Sequence, residues 1–297
     1  MGDSLVEKLR GKKRVCIGST GVHISTLSGA TRAFLPYFSS GVEYTGCSGG
    51  ALISLCCCLG IMEDKESVNR IIESLQPTIE GTIASSEMFS STTLGFANSK
   101  KLEEAVEEAL IIGGLSPEAT MGDVGRLLGK DLVVVVTDVE ERKTVFLRPS
   151  THPKLKVKRA MAATCCVPFL FQPVEIGGKK YVDGAVMNSV SYMGEEEEDC
   201  IFLLVDGRYG ENSKISHYAN NIIACISECH MPFLSGKDYI LLRTISTELT
   251  TEEFLRKEWK GYLDATEMLV PGLKVRCGEA VKTAALLIGG RFQEDVI

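Results

Sequence analysis

Gly46, Ser48 and Gly50 stand in the order G-x-S-x-G within "YTGCSGGALISLCCCLG", residues 44 to 60. A serine hydroxyl attacks a carbonyl poorly unless a neighbouring group takes its proton. Acyl transfer at Ser48 therefore asks for two more parts: a base, and N–H donors facing the charge that develops on the carbonyl oxygen. Gly49, directly after the serine, carries one such N–H. The candidates for the base are three aspartates and two histidines that follow Ser48 in the chain. Asp183 closes "KKYVD", Asp206 closes "LLVD", and Asp138 follows "VVVVT". Taken alone, Asp183-Gly184 is a common turn dipeptide. His217 in "SKISHYANN" and His230 in "CHMPF" lack a strand-end setting and read as surface or helix-end histidines.

The elements around these residues alternate between strand and helix. "RVCIG" is a short apolar strand, and "VHISTLSGATRAFLPYF" has apolar residues at helical spacing. "GVEYTG" is a second strand. "GGALISLCCCLGIM" is apolar all round, as a buried helix is. Strand, turn and helix form the setting in which G-x-S-x-G means a nucleophile elbow. "SKKLEEAVEEALI" is a helix with Ser99 as its cap, and "SPEATMGDVGRLLG" is a shorter one. "KDLVVVVTDV" has the unbroken apolar composition of a parallel strand buried on both faces, and "KTVFLRP" pairs with it. "KVKRAMAATCCV" is a helix stopped by Pro168. "QPVEIGGKKYVDG" is a hairpin, and "IFLLVDG" a buried strand. The tail from 211 to 297 reads as mostly helical, with "GYLDATEML" a packed amphipathic helix. The fold class is α/β, a mostly parallel central sheet flanked by helices, in a single domain over 1–297.

Composition narrows the function. With 39 acidic and 32 basic residues the net charge is −7, which gives no support to a nucleic-acid binder, a class that usually shows a basic face. Eleven cysteines, an odd number without framework spacing, and a polar opening "MGDSLVEKLRGKKR" read as reduced thiols in a cytoplasmic setting. No apolar run reaches the length of a membrane-spanning helix. Cys56, Cys57 and Cys58 read as core residues on the buried helix. Cys225, Cys229 and His230 lack a fourth ligand, so no metal site is expected. Residues 63 to 99 are polar, like a cap or insertion, and Glu195 to Glu198 read as a solvated loop.

The run "AMAATCCVPFLFQPVEIGGKKYVDGAVMNSV" resembles one family, the patatin-like phospholipases. Pro168, Phe169, Phe171, Pro173-Val174, Gly177-Gly178, Tyr181-Val182-Asp183-Gly184-Ala185 and Asn188 carry the likeness, and "GCSGGALISL" matches the family's elbow. It covers about residues 14 to 205. The resemblance implies a three-layer fold and a Ser–Asp dyad. Ser48 would be the nucleophile, and Asp183 the base that later activates the deacylating water. It implies a lipid acyl hydrolase that cleaves carboxylic esters of phospholipids or related lipids. Such a route needs neither calcium nor another cofactor. The substrate lipid would be met transiently at a membrane surface. An aspartate with its ordinary pKa near 3.9 is a weak base at pH 7, and a desolvated apolar cleft is the physical way to strengthen it.

The family's glycine-rich loop, G-G-G-x-(Arg or Lys)-G, is altered. Ser19, Thr20 and Gly21 fall on its three glycines, His23 on the basic position and Ile24 on the last glycine. With Gly49 these make the expected oxyanion hole. Thr20, β-branched, suits a left-handed backbone poorly, so the loop is expected to be strained or displaced. Two other readings stay open: a weakened enzyme or lipid-binding protein that keeps the cleft, and a Ser-His-Asp esterase using His217 or His230. Trp259 and Phe233 could instead present the tail to a bilayer.

Overall fold

The computed structural model describes residues 5–71, 73–74, 95–97, 99–194, 199–209, 229–246, 251–269, 286–288 and 291–292. Its helices are α1 (Leu5–Arg10), α2 (Ile24–Phe34), α3 (Gly49–Cys58), α4 (65–71), α5 (Lys100–Ile112), α6 (Met121–Leu128), α7 (Val157–Thr164), α8 (Ala185–Asn188) and α9 (Thr251–Leu269). Its strands are β1 (Arg14–Ile17), β2 (Glu43–Cys47), β3 (Gly95–Ala97), β4 (Leu132–Asp138), β5 (Lys143–Leu147), β6 (Phe169–Phe171), β7 (Val174–Ile176), β8 (Lys179–Asp183), β9 (Cys200–Tyr209), β10 (Asp238–Ser246), β11 (Leu286–Ile288) and β12 (Arg291–Phe292).

The main sheet runs β12-β11-β10-β9-β1-β2-β4-β8-β7, with β5 also on β4. Strands β10, β9, β1, β2 and β4 are parallel; β5 and β8 each pair antiparallel with β4, and β7 pairs antiparallel with β8. All seven residues of β4 are buried, as its Val-rich run foretells. Gly177 and Gly178 both have positive φ, which is what a two-residue hairpin turn between β7 and β8 requires. Helix α7 ends at Thr164, ahead of Pro168.

Register explains how the site forms. Residues 134–138 of β4 pair with β5 along one edge. Along the other edge β2 pairs up to Cys47↔Val135, and β8 pairs down from Asp183↔Val136. The parallel β2 and the antiparallel β8 therefore abut end to end on one edge of β4. The residue after β2 is Ser48, and the residue closing β8 is Asp183.

The tail after 211, read as mostly helical, holds the long helix α9 and, among its described residues, also a strand: β10 pairs with β9 over nine residues, Asp238↔Ile201 to Ser246↔Tyr209. One expectation is corrected. Ser99 stands at the start of α5, but its hydroxyl bonds the Glu103 carboxylate at 2.9 Å instead of a backbone N–H. The cap that does form is on α6, where Thr120 and Asp123 bond each other's backbone N–H. Cys56, Cys57 and Cys58 are buried in the core. Most of 63–99, and Glu195 to Glu198, His217 and Cys225, lie outside the described residues.

Helix α9 packs along α2 with backbones nearly touching. A Cβ at Gly29 would come 1.8 Å from the Glu258 carbonyl oxygen, and one at Gly261 would come 2.0 Å from that of Thr26. Between the helices Arg32 bonds the fully buried Glu258 carboxylate at 2.9 Å and lies over the Tyr262 ring. Trp259 is partly exposed, stacked on Tyr262 with Lys65 above it. No helix among the described residues is long and apolar enough to cross a membrane.

Candidate active site

Ser48 sits between β2 and α3 with φ 52° and ψ −134°. A non-glycine residue there costs about 1–3 kcal/mol, which the surroundings must offset. The flanking glycines are dictated by crowding. A Cβ at Gly46 would lie 2.5 Å from the Gly50 carbonyl oxygen, and one at Gly50 would lie 2.2 Å from that of Gly18. The strained turn is anchored by Thr164 at the end of α7. Its Oγ1 accepts the Ser48 N–H at 2.8 Å and donates to the Val135 carbonyl at 2.5 Å. That carbonyl lies at the junction where β2 stops and β8 begins. Thr164 belongs to the small-residue helix end visible in the sequence, but nothing there marks it as the anchor.

The Ser48 hydroxyl donates to Asp183 Oδ2 at 2.8 Å. The Ala185 N–H donates to Oδ1 at 2.8 Å, and the Thr137 hydroxyl to the Asp183 carbonyl at 3.0 Å. Burial raises the Asp183 carboxyl from 3.8 to about 7, and the bonds from Ala185 and Ser48 pull the other way. Gly184 is tight against the sheet: a Cβ would come 2.2 Å from the Val135 carbonyl oxygen. Asp183-Gly184 thus joins β8 to α8 and is no simple turn.

The other aspartates are occupied elsewhere. Buried Asp138 accepts the N–H groups of Glu140 and Glu141 and faces Lys179 at 3.4 Å. Asp206 pairs with Arg243 at 3.4 Å across β9 and β10. His230 does not face Ser48: its Nδ1 accepts the Ser189 N–H at 3.1 Å, and its ring stacks on Phe233. Among the described residues no group of His, Cys, Asp and Glu could hold a metal ion.

The loop after β1 differs from expectation. The Ser19 N–H donates to the Ser189 carbonyl at 2.7 Å, which directs it away from an oxyanion hole. Thr20 has φ −119°, an ordinary value, so the expected strain is absent. Gly21 alone in this loop takes a positive φ, 51°, and opens a short 3-10 turn to His23. His23 is buried, and desolvation with nearby Lys257 lowers its pKa to about 3. It is neutral and no stand-in for a basic residue. Gly207 makes room for it, since a Cβ there would lie 1.8 Å from His23 Cδ2. A cation in this neighbourhood is Lys257 of α9, buried, paired with Glu253 at 3.6 Å and drawn down to about 8 by desolvation.

A strained serine after a strand, on a buried carboxylate, with a helix N-terminus beside it, has the parts for acyl transfer. A family model described as patatin-like phospholipase matches residues 15–193, more than half of the chain. VipD from Legionella pneumophila is similar in structure, with TM-score 0.51 and 17% identity over 87% of this chain and 67% of that one. A second solved structure is the ExoU–SpcU complex of the type III secretion system of Pseudomonas aeruginosa. Its TM-score is 0.42 at 13% identity, over 87% of this chain and 51% of that one. The likeness to VipD concerns the fold alone. No curated protein matches this chain in sequence.

Proposed function

The chain belongs to the patatin-like phospholipase family, and from that premise we propose that it hydrolyses carboxylic esters of phospholipids or related lipids through an acyl-enzyme on Ser48. The observation that carries this reading is the 2.8 Å bond from the Ser48 hydroxyl to a buried Asp183 with its pKa raised to about 7. A carboxylate with that pKa is half ionised near neutral pH and basic enough to take a proton. As Ser48 Oγ bonds the substrate carbonyl carbon, its proton moves to Asp183. The intermediate collapses, the ester C–O bond breaks, and Asp183 returns the proton to the leaving alkoxide. Water then attacks the acyl-Ser48 carbonyl with Asp183 again as acceptor; the acyl–Oγ bond breaks, Asp183 returns the proton to Ser48 Oγ, and the fatty acid leaves. No step calls for calcium. Contact with the lipid surface is transient and peripheral. Phe169, 74% exposed and three residues beyond Cys166, whose carbonyl accepts the Asp183 N–H, lies where such contact would serve the site.

A second reading, a lipid-binding protein with a weakened site, is favoured by Thr20 standing where the family has glycine. Fatty-acid release from phospholipid vesicles, and fluorophosphonate labelling of Ser48, separate the two. The hydrolase reading expects labelling and turnover, both abolished by Ser48→Ala with folding intact by circular dichroism. Retained turnover in a clean Ser48→Ala preparation would sink it.

A further inference from the structure

Two side chains of the altered loop reach the nucleophile's turn, Thr20 and the apolar Ile24, and Thr20 brings the hydroxyl. A Cβ built on Gly49 would come 2.0 Å from Thr20 Oγ1. The hydroxyl therefore occupies the space that a side chain at 49 would fill. Gly49 follows Ser48 and starts α3, so its N–H marks where a carbonyl oxygen attacked by Ser48 gathers charge. The G-x-S-x-G pattern does not require glycine at that second x. Here the Thr20 hydroxyl requires it.

The hydroxyl is also poised. Thr20 is 4% exposed, and its χ1 is restricted by β-branching. Its bond to the Gly21 carbonyl is long, 3.3 Å, and lies within its own turn. A rotation of the O–H re-aims it without moving a heavy atom. The Ser19 N–H, which the family pattern would aim at the oxyanion, is held by Ser189. The loop thus has one backbone donor turned away and one side-chain donor beside Gly49.

We propose that the Thr20 hydroxyl is a catalytic oxyanion donor, a side chain replacing a backbone N–H of the glycine-rich loop. This rests on the acyl-enzyme reading of Ser48. In the tetrahedral intermediate the hydroxyl donates to the oxyanion together with the Gly49 N–H. The loop is then a working alternative and not a defect.

Thr20→Val keeps the shape and removes the donor, and Thr20→Ser keeps the donor. Two readouts are used: kcat and KM on a short-chain p-nitrophenyl ester, and the rate of Ser48 phosphonylation by a fluorophosphonate, whose phosphoryl oxygen takes the oxyanion's place. Melting temperatures confirm that both variants fold. Thr20→Val is expected to lower kcat and the labelling rate by about 100- to 1000-fold, with KM within about threefold. Thr20→Ser is expected to stay within about tenfold of wild type. Rates for Thr20→Val within about threefold of wild type would overturn the inference and leave the hydrolase reading intact. A rise in kcat in Thr20→Gly would overturn it too, showing the hydroxyl as an obstruction. Failure of wild-type Ser48 to label would overturn both.

Discussion

The two sides of Ser48 are built by different means. On the base side, strand register does the positioning. β2 and β8 meet end to end on β4, and Asp183 is held by the Ala185 N–H and the Thr137 hydroxyl. On the donor side, side chains decide. Ser19 is turned toward Ser189, Thr20 leans on Gly49, and His23 is buried and neutral against Gly207. A partner placed by a sheet is constrained by every residue pair of the ladder. A partner placed by a loop can be rebuilt by a few substitutions. The altered half of the family pattern is the half that lies in a loop.

The largest effect should come from breaking the base side. Asp183→Asn keeps the shape and removes the basic oxygen, and is expected to lower kcat by about 100- to 10,000-fold. The wild-type rate should rise with pH to a plateau, half-maximal near 7, because the ionised carboxylate is the active form. That limb should vanish in the variant's residual rate. The sign for stability is opposite. Asp183 has a folded pKa raised from 3.8, so its contribution is complete below about pH 4 and is lost as pH rises through 7. Asp183→Asn should therefore gain on wild type in urea unfolding at pH 8 relative to pH 4, by about 4 kcal/mol at most. An unchanged pH–rate profile in Asp183→Asn would remove Asp183 from the base role.

Thr164 sharpens the comparison, because it joins the elbow to the β4 junction. Thr164→Val leaves the Ser48 N–H and the Val135 carbonyl without their partner, both buried. Each such loss costs about 1–3 kcal/mol. We predict a destabilisation of about 2–5 kcal/mol and roughly a tenfold fall in kcat, with Thr164→Ser recovering both. Unfolding curves and kcat for both variants check this. A stability loss with unchanged kcat would make Thr164 a core residue only.

The sequence is most readable where one residue type has one physical use. The Val-rich run of β4, the Gly-Gly turn of the β7–β8 hairpin and the crowded glycines of the elbow have few alternatives. Strand β10 was less legible. Tyr239 to Leu242 is a four-residue apolar run between Asp238 and Arg243, and periodicity alone does not separate a buried strand from a helix there. Its state is set by nine residue pairs with β9, a long-range fact. Thr164 and Ser189 are illegible as parts of the site for a similar reason. Their hydroxyls and carbonyls act on residues tens to more than a hundred positions away, and no local pattern carries that distance. Thr20 is legible as an oxyanion-hole position, but its sequence position does not show that its side chain reaches the space beside Gly49.

The smallest effect should come from His230, and it tests whether the donor side has a hidden base. Its Nδ1 accepts from the Ser189 N–H at 3.1 Å and lies 2.9 Å from the Ser189 hydroxyl. The Ser189 carbonyl in turn holds the Ser19 N–H at 2.7 Å and faces Cys47 Sγ at 3.3 Å. His230 is thus two hydrogen bonds removed from the loop and supports its shape. His230→Ala removes a half-buried ring from over the buried Ser189 N–H, and water entering the vacated space can take the ring's place, so the penalty on Ser189 is small. We expect a fall in kcat of about two- to fivefold, since a loosened support misplaces a donor without removing it. Burial already lowers the His230 pKa, so the ring is neutral at pH 7 and above, and the pH–rate profile there should keep the shape set by Asp183. Steady-state kinetics between pH 6 and 9 on the short-chain ester measure both. A hundredfold fall, or loss of the limb near pH 7, would make His230 the proton acceptor and replace the dyad with a triad.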